Sequence, residues 1–191
     1  EITKARIDLE EALKHAPGSL DAAAGLAELG VERGDPAPAR VFEKLLQAAS
    51  RRLPERGALF RRLAKVADAV KDARLALTAW SEVLASALQD EEALGRLWVL
   101  ARALRDDVKL EQVLKQVLAK DPRGERARPA WLDLVSVLER VGRLDDALAA
   151  LREAVCKAGG NAFSQMRWIR SAGASVADPP IHLEANAWVV Q

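Results

Sequence analysis

Tyrosine is missing from the sequence, and cysteine and methionine occur once each, as Cys156 and Met166. A single cysteine rules out an intrachain disulfide and a cysteine-built zinc site, and a lone thiol on a helix reads as structural. The two histidines, His15 and His182, lie far apart, and neither has neighbours at metal-ligand spacing. Neither the glycine-rich phosphate loop nor the dinucleotide-binding fingerprint is present. No apolar run reaches the roughly eighteen residues that a membrane-spanning helix needs, so no membrane insertion is expected. An excess of one charge is lacking too: 29 Lys and Arg face 28 Asp and Glu. Arg51-Arg52, Arg61-Arg62 and the stretch from Arg123 to Arg128 are interrupted by acids. Only 3 Phe and 5 Trp are available to stack on bases. These absences set expectations of no enzyme activity, no cofactor, no metal and no specific nucleic acid. The opening EITKARIDLEEALKHA resembles neither a signal peptide nor a targeting segment, which favours the cytoplasm. The missing initiator Met fits an excised domain or a processed product.

What the chain does have is periodicity. Hydrophobic residues make up 50% and charged residues 30%, a globular profile. The stretch WLDLVSVLERVGRLDDALAALREAV, from Trp131 to Val155, contains two helical patterns meeting at Gly142. Trp131, Leu134, Leu138 and Val141 recur at helical spacing before the glycine, and Ala147, Leu151, Ala154 and Val155 after it. That is the pattern of two amphipathic helices sharing an apolar seam. The same pattern recurs upstream. Leu94, Leu97 and Ala101 precede Leu110, Leu114, Val117 and Leu118; Phe60, Leu63 and Ala67 precede Ala76, Trp80, Val83 and Leu84. Ala23, Leu26 and Gly30 precede Ala39, Phe42 and Leu46. Units begin near 20, 57, 91 and 128. A two-helix unit cannot bury its stripe alone, so neighbouring units have to stack.

This register resembles the tetratricopeptide repeat (TPR), a helix–turn–helix unit of about 34 residues. Trp131, Leu134, Leu138, Gly142, Ala147, Leu151 and Ala154 fall on the family's favoured positions, as do Pro122 and Gly34 in other units. The departures are the missing tyrosine, Val135 and Trp98 where the family prefers a small residue, and Glu43 where it prefers Phe. Two unit intervals are also three residues too long. The likeness covers residues 5–161 and is most specific over 57–161. It implies an all-α fold, a right-handed TPR-like α-solenoid of stacked antiparallel helix hairpins. Residues 1–19 would be the terminal helix of a truncated repeat, with Ala5, Leu9, Ala12 and Leu13 on its stripe. Residues 20–161 would form four repeats, and 162–191 a divergent C-terminal cap or extension.

Boundary residues agree with this register. Gly34-Asp35-Pro36 ends one helix and offers Asp35 as the next N-cap, with Pro36 at the first helical position. Asp90 precedes Glu91 and Glu92, an N-cap followed by two first-turn acids. Asp121-Pro122 and Gly124 break the chain, and Asp145 and Asp146 open the last clear helix.

Function is implied by the resemblance rather than by any motif. In the family, successive first helices line a concave groove. The matching positions here include Ala24 and Glu28, then Arg61 and Lys65, then Val99 and Arg102, and finally Leu132, Ser136, Glu139 and Arg140. The groove is expected to be acidic at one end and basic around Arg61, Lys65 and Arg102, suiting a protein or peptide partner with an acidic segment. The two asparagines, Asn161 and Asn186, stand outside the positions that a chaperone-tail clamp of this family requires. The expected role is a non-catalytic protein–protein interaction scaffold. The alternative is a structural spacer or oligomerisation module, a homo-oligomer included, and a nucleic-acid-binding helical repeat ranks third.

Overall fold

The structure is a computed structural model that describes residues 2–50 and 55–157. Among these residues are nine α-helices and no strand: α1 (Ile2–His15), α2 (Leu20–Val31), α3 (Ala37–Ala48), α4 (Arg56–Ala69), α5 (Ala73–Ser86), α6 (Glu91–Leu104), α7 (Asp107–Lys120), α8 (Ala127–Arg140) and α9 (Leu144–Lys157). The sequence readings for residues 162–191, and for the helix start at Asn161, lie outside the described residues. The chain divides into two compact units, Glu1–Leu104 and Arg105–Gln191.

Each unit is a solenoid-like stack of helices. In the first, α2 pairs with α3 and α4 with α5; α1 covers α2, and α4 packs on both helices of the preceding hairpin. In the second, α8 packs against both α7 and α9. The helices bury the stripes that the sequence pattern picks out. Phe60, Leu63 and Ala67 of α4 meet Ala76, Trp80 and Val83 of α5, all at most 1% exposed. Trp131, Leu134 and Leu138 of α8 are buried with Ala147, Leu151 and Ala154 of α9. No polar or charged residue is buried among the described residues, so the core itself is apolar. Each large side chain buried this way stabilises the stack by about 1.5–3 kcal/mol.

Val141 departs from the pattern. Its spacing places it on the seam, yet it is 45% exposed, because it is the C-cap of α8 and the chain has already left the helical path. The turn that follows explains why. Gly142 adopts φ 76°, its amide donates to the Glu139 carbonyl at 3.0 Å, and the Arg143 amide donates to the Leu138 carbonyl at 2.9 Å. This double bond pattern closes a helix C-terminus on a left-handed residue. Gly34, at φ 65°, makes the same turn after α2: the Asp35 amide reaches the Gly30 carbonyl at 3.0 Å. Lys71 does so after α4, with φ 60° and the Asp72 amide on the Ala67 carbonyl at 3.0 Å.

The N-termini are capped largely by aspartate. Asp90 accepts from the Ala93 amide at 2.9 Å, as the sequence indicates. Asp72 caps α5 through Leu75, Asp106 caps α7 through Lys109, and Ser19 caps α2 through Ala22. At α3 the helix begins one residue later than the Asp-Pro signal suggests. Asp35 accepts from the Ala37 amide at 2.9 Å, while Pro36 holds the cap position.

Candidate functional site

The first helices of unit 1, α2, α4 and α6, place their exposed charges within reach of one another. Arg62 of α4 donates to Glu28 of α2 at 2.8 Å and lies 3.9 Å from Asp21. Arg61 turns the other way, pairing with Asp90 and, at 3.4 Å, with Glu92 of α6. Lys65 approaches Glu92 at 3.9 Å, and Asp68 of α4 meets Arg96 of α6 at 3.3 Å. Asp68 also accepts the Trp80 indole N–H at 3.0 Å, tying the core tryptophan to this face.

The candidates Arg61 and Lys65 thus share one acid, Glu92, but differ in environment. Arg61 is bound to the capping residue of α6, whereas the Lys65 side chain is 60% exposed and held by a single long contact. Val99 is 62% exposed, and Arg102 is exposed on the last turn of α6. Ala24 falls on the family's groove positions but is fully buried, so it contributes packing rather than surface.

In unit 2, Arg140 is exposed and donates to Asp107 of α7 at 2.5 Å and to Ser136 at 3.0 Å. The structure therefore brings Ser136 and Arg140 together; Leu132 and Glu139 are half-buried on the same helix. Arg143 donates to Glu111 of α7 at 2.9 Å and to Asp146 at 2.6 Å.

Sequence reasoning missed these acid–base partners, although a signal for them exists. Arg62 and Glu28 are 34 residues apart, Arg140 and Asp107 33, Arg143 and Glu111 32. Opposite charges at about one repeat length recur because neighbouring hairpins bring those positions side by side.

The pairing perturbs the carboxylates. The Ala93 amide and the Arg61 guanidinium hold Asp90 below its ordinary value, with burial opposing them. Burial pushes Asp72 upward, but the Leu75 amide and Arg40 together outweigh it and leave its carboxyl below the usual range. Arg140 lowers Asp107, while Lys115 and then Arg143 lower Glu111.

Two further features concern packing between second helices. Arg56, at the start of α4, lies with its guanidinium carbon 4.8 Å from the Phe60 ring centre. It donates to the carbonyls of Leu46 and Ala49 at 2.9 and 3.4 Å and sits 3.6 Å from Glu82. Trp131 of α8 is 4% exposed, and its indole N–H finds no acceptor among the described residues. Among the same residues, no group of three or more His, Cys, Asp or Glu side chains is placed to hold a metal ion, and no helix is long and apolar enough to cross a membrane.

No protein-family model matches the sequence. No curated protein matches it either. Solved structures do resemble the fold. A P212121 crystal structure of MamA AMB-1 aligns with a TM-score of 0.51 at 19% identity, covering 85% of this chain and 87% of the other. YrrB, described as a TPR protein with an unusual peptide-binding site, aligns with a TM-score of 0.49 at 18% identity, over 97% of this chain and 84% of its own. The chain is similar to all-α helical-repeat proteins of the TPR and MamA type.

Proposed function

We propose that the protein is a non-catalytic binding scaffold that holds a protein or peptide carrying a short acidic segment. The exposed first-helix face of unit 1 receives it. The observation that carries this reading is the state of Lys65. Its ammonium is mostly in water and shares Glu92 with Arg61 through a 3.9 Å contact. A contact of that kind contributes at most about 1 kcal/mol, so a ligand carboxylate can exchange with Glu92 at little cost. Val99, one turn before Arg102 on α6, adds an apolar patch beside the cationic end. Arg61 is the less exchangeable partner, because it is already engaged by the residue that caps α6.

The test is a peptide-display selection against the full chain, repeated on Lys65→Glu/Arg102→Glu. Both side chains are exposed, so the helical circular-dichroism signal should be unchanged. Peptides enriched in Asp and Glu should emerge from the parent and weaken at least about tenfold on the variant, by loss of charge-assisted contacts. Equal binding to both proteins would place the ligand on another face and refute the reading.

A further inference from the structure

Leu26 is the exception among the leucines that recur on the first helices. Leu63, Leu97 and Leu134, its counterparts in the later hairpins, are at most 4% exposed, whereas Leu26 is only half-buried. Leu29 and, on α1, Leu13 are half-buried as well, while Ile2 is 46% and Val41 48% exposed. These five side chains line one cavity of about 300 Å³, which opens over α2 between α1 and α3. That volume suits a side chain or a small ligand. The floor is low at position 23, where alanine stands in place of Phe60, Leu94 and Trp131.

Charge marks one end of this cavity. The helices α1, α2 and α3 alternate in direction, so the start of α1 and the end of α2 bring Arg6 and Arg33 to the same end of its wall. The fold satisfies neither guanidinium. Arg33 is exposed, and its side chain has no partner among the described residues. The Nε of Arg6 is buried without a hydrogen bond, because Glu10, 3.1 Å away, is not aligned with its N–H. Asp35, the acid nearest Arg33 in sequence, turns instead to the Ala37 amide at 2.9 Å, where α3 starts. We infer that the cavity receives a partner polypeptide through a large apolar side chain whose sequence neighbour is a carboxylate. The apolar group covers Leu26 and Leu29, removing both surfaces from water. The carboxylate reaches Arg33, whose planar guanidinium offers it two parallel donors. A purely apolar ligand leaves the arginines unmet, and a purely acidic one leaves the leucines wet; one segment carrying both groups answers both. The cavity shares no lining residue with the face that carries Lys65 and Val99, so the two sites are tested independently.

The isoleucines of the chain are Ile2, Ile7, Ile169 and Ile181. Ile2 lines the cavity, whereas Ile7, about equally exposed on α1, does not. Methyl-labelled isoleucine in the full chain therefore gives a probe and a control in one nuclear magnetic resonance spectrum, assigned by Ile2→Val and Ile7→Val. Titration with an end-blocked Gly-Leu-Glu-Gly peptide should move the Ile2 methyl saturably and leave that of Ile7 in place. The Gly-Leu-Gln-Gly counterpart should bind about fivefold more weakly, by loss of charge-assisted bonds. Gly-Ala-Glu-Gly should also weaken about fivefold, by loss of apolar burial. In Arg33→Gln, a change at an exposed site, the Glu and Gln peptides should bind alike. Equal affinity of the parent for the Glu and Gln peptides, or for the Leu and Ala peptides, would overturn the assignment. The absence of a saturable shift at Ile2 would overturn it as well. An Ile2 shift that grows with protein concentration alone would mean that a second copy of the chain fills the cavity, which overturns the partner assignment.

Discussion

Lys71 and Arg105 hold φ angles of 60° and 54°, a conformation that costs an L-residue about 1–2 kcal/mol and glycine almost nothing. Gly34 and Gly142 carry corresponding corners without that cost. The chain therefore tolerates local strain at some turns and avoids it at others, and the two kinds of corner should respond in opposite ways. Lys71→Gly should raise stability by about 0.5 kcal/mol, the relief of strain being partly offset by a freer unfolded chain. Gly142→Ala should lower it by about 1 kcal/mol. Urea midpoints at constant slope would report both, and a destabilised Lys71→Gly would refute the assignment of strain. The glycine corners are legible in the sequence because only glycine reads as a left-handed residue. The Lys71 corner is not, since nothing in lysine's chemistry announces it. Exposure at Val141 escaped for the same reason: periodicity cannot say at which residue a helix ends.

Several helices are held by an aspartate cap, as α5, α6 and α7 are, and some by charges about one repeat away. Asp72, Asp90, Asp107 and Glu111 all have carboxyls held below their ordinary range by amides or cations. A carboxylate whose folded value lies below its unfolded value binds fewer protons when folded. Its contribution is therefore complete above the unfolded value, near pH 4, and disappears as pH falls through the folded value. Melting temperature should be flat from about pH 7 to pH 5 and drop below about pH 4, with Asp90→Asn reducing that drop. A melting temperature that stays constant down to about pH 3 would show that these pairs carry no folding free energy. The Asp90 cap is readable from its acidic neighbours. Asp72 and Asp106 carry the same signal, a carboxylate just before an amphipathic helix, but a basic residue, Lys71 or Arg105, sits directly before each. Ion pairs between helices are harder to see: the charges at Arg62 and Glu28 become partners only once the repeat spacing is known.

At the scale of the whole molecule, the all-α repeat architecture is legible because one physical requirement leaves its mark many times. Every hairpin must hide a stripe that its neighbour covers, so Phe60, Leu94 and Trp131 return at nearly constant intervals with their followers at helical spacing. The binding surface leaves no such mark. The paired charges recur at about one repeat length, but nothing in that spacing says which cation is left for a ligand, and Arg61, which reads as a groove cation, proves to be engaged by the cap of α6. The central claim is that, within each unit, neighbouring hairpins lie side by side, with positions about one repeat apart in contact. It is tested most directly by cysteine cross-linking in a Cys156→Ser background. Cysteine pairs at Glu28 and Arg62, and separately at Asp107 and Arg140, should each be joined by a short bismaleimide in the folded protein and not in urea. Failure of either pair to join while the helical signal is intact would contradict the stacked-hairpin account.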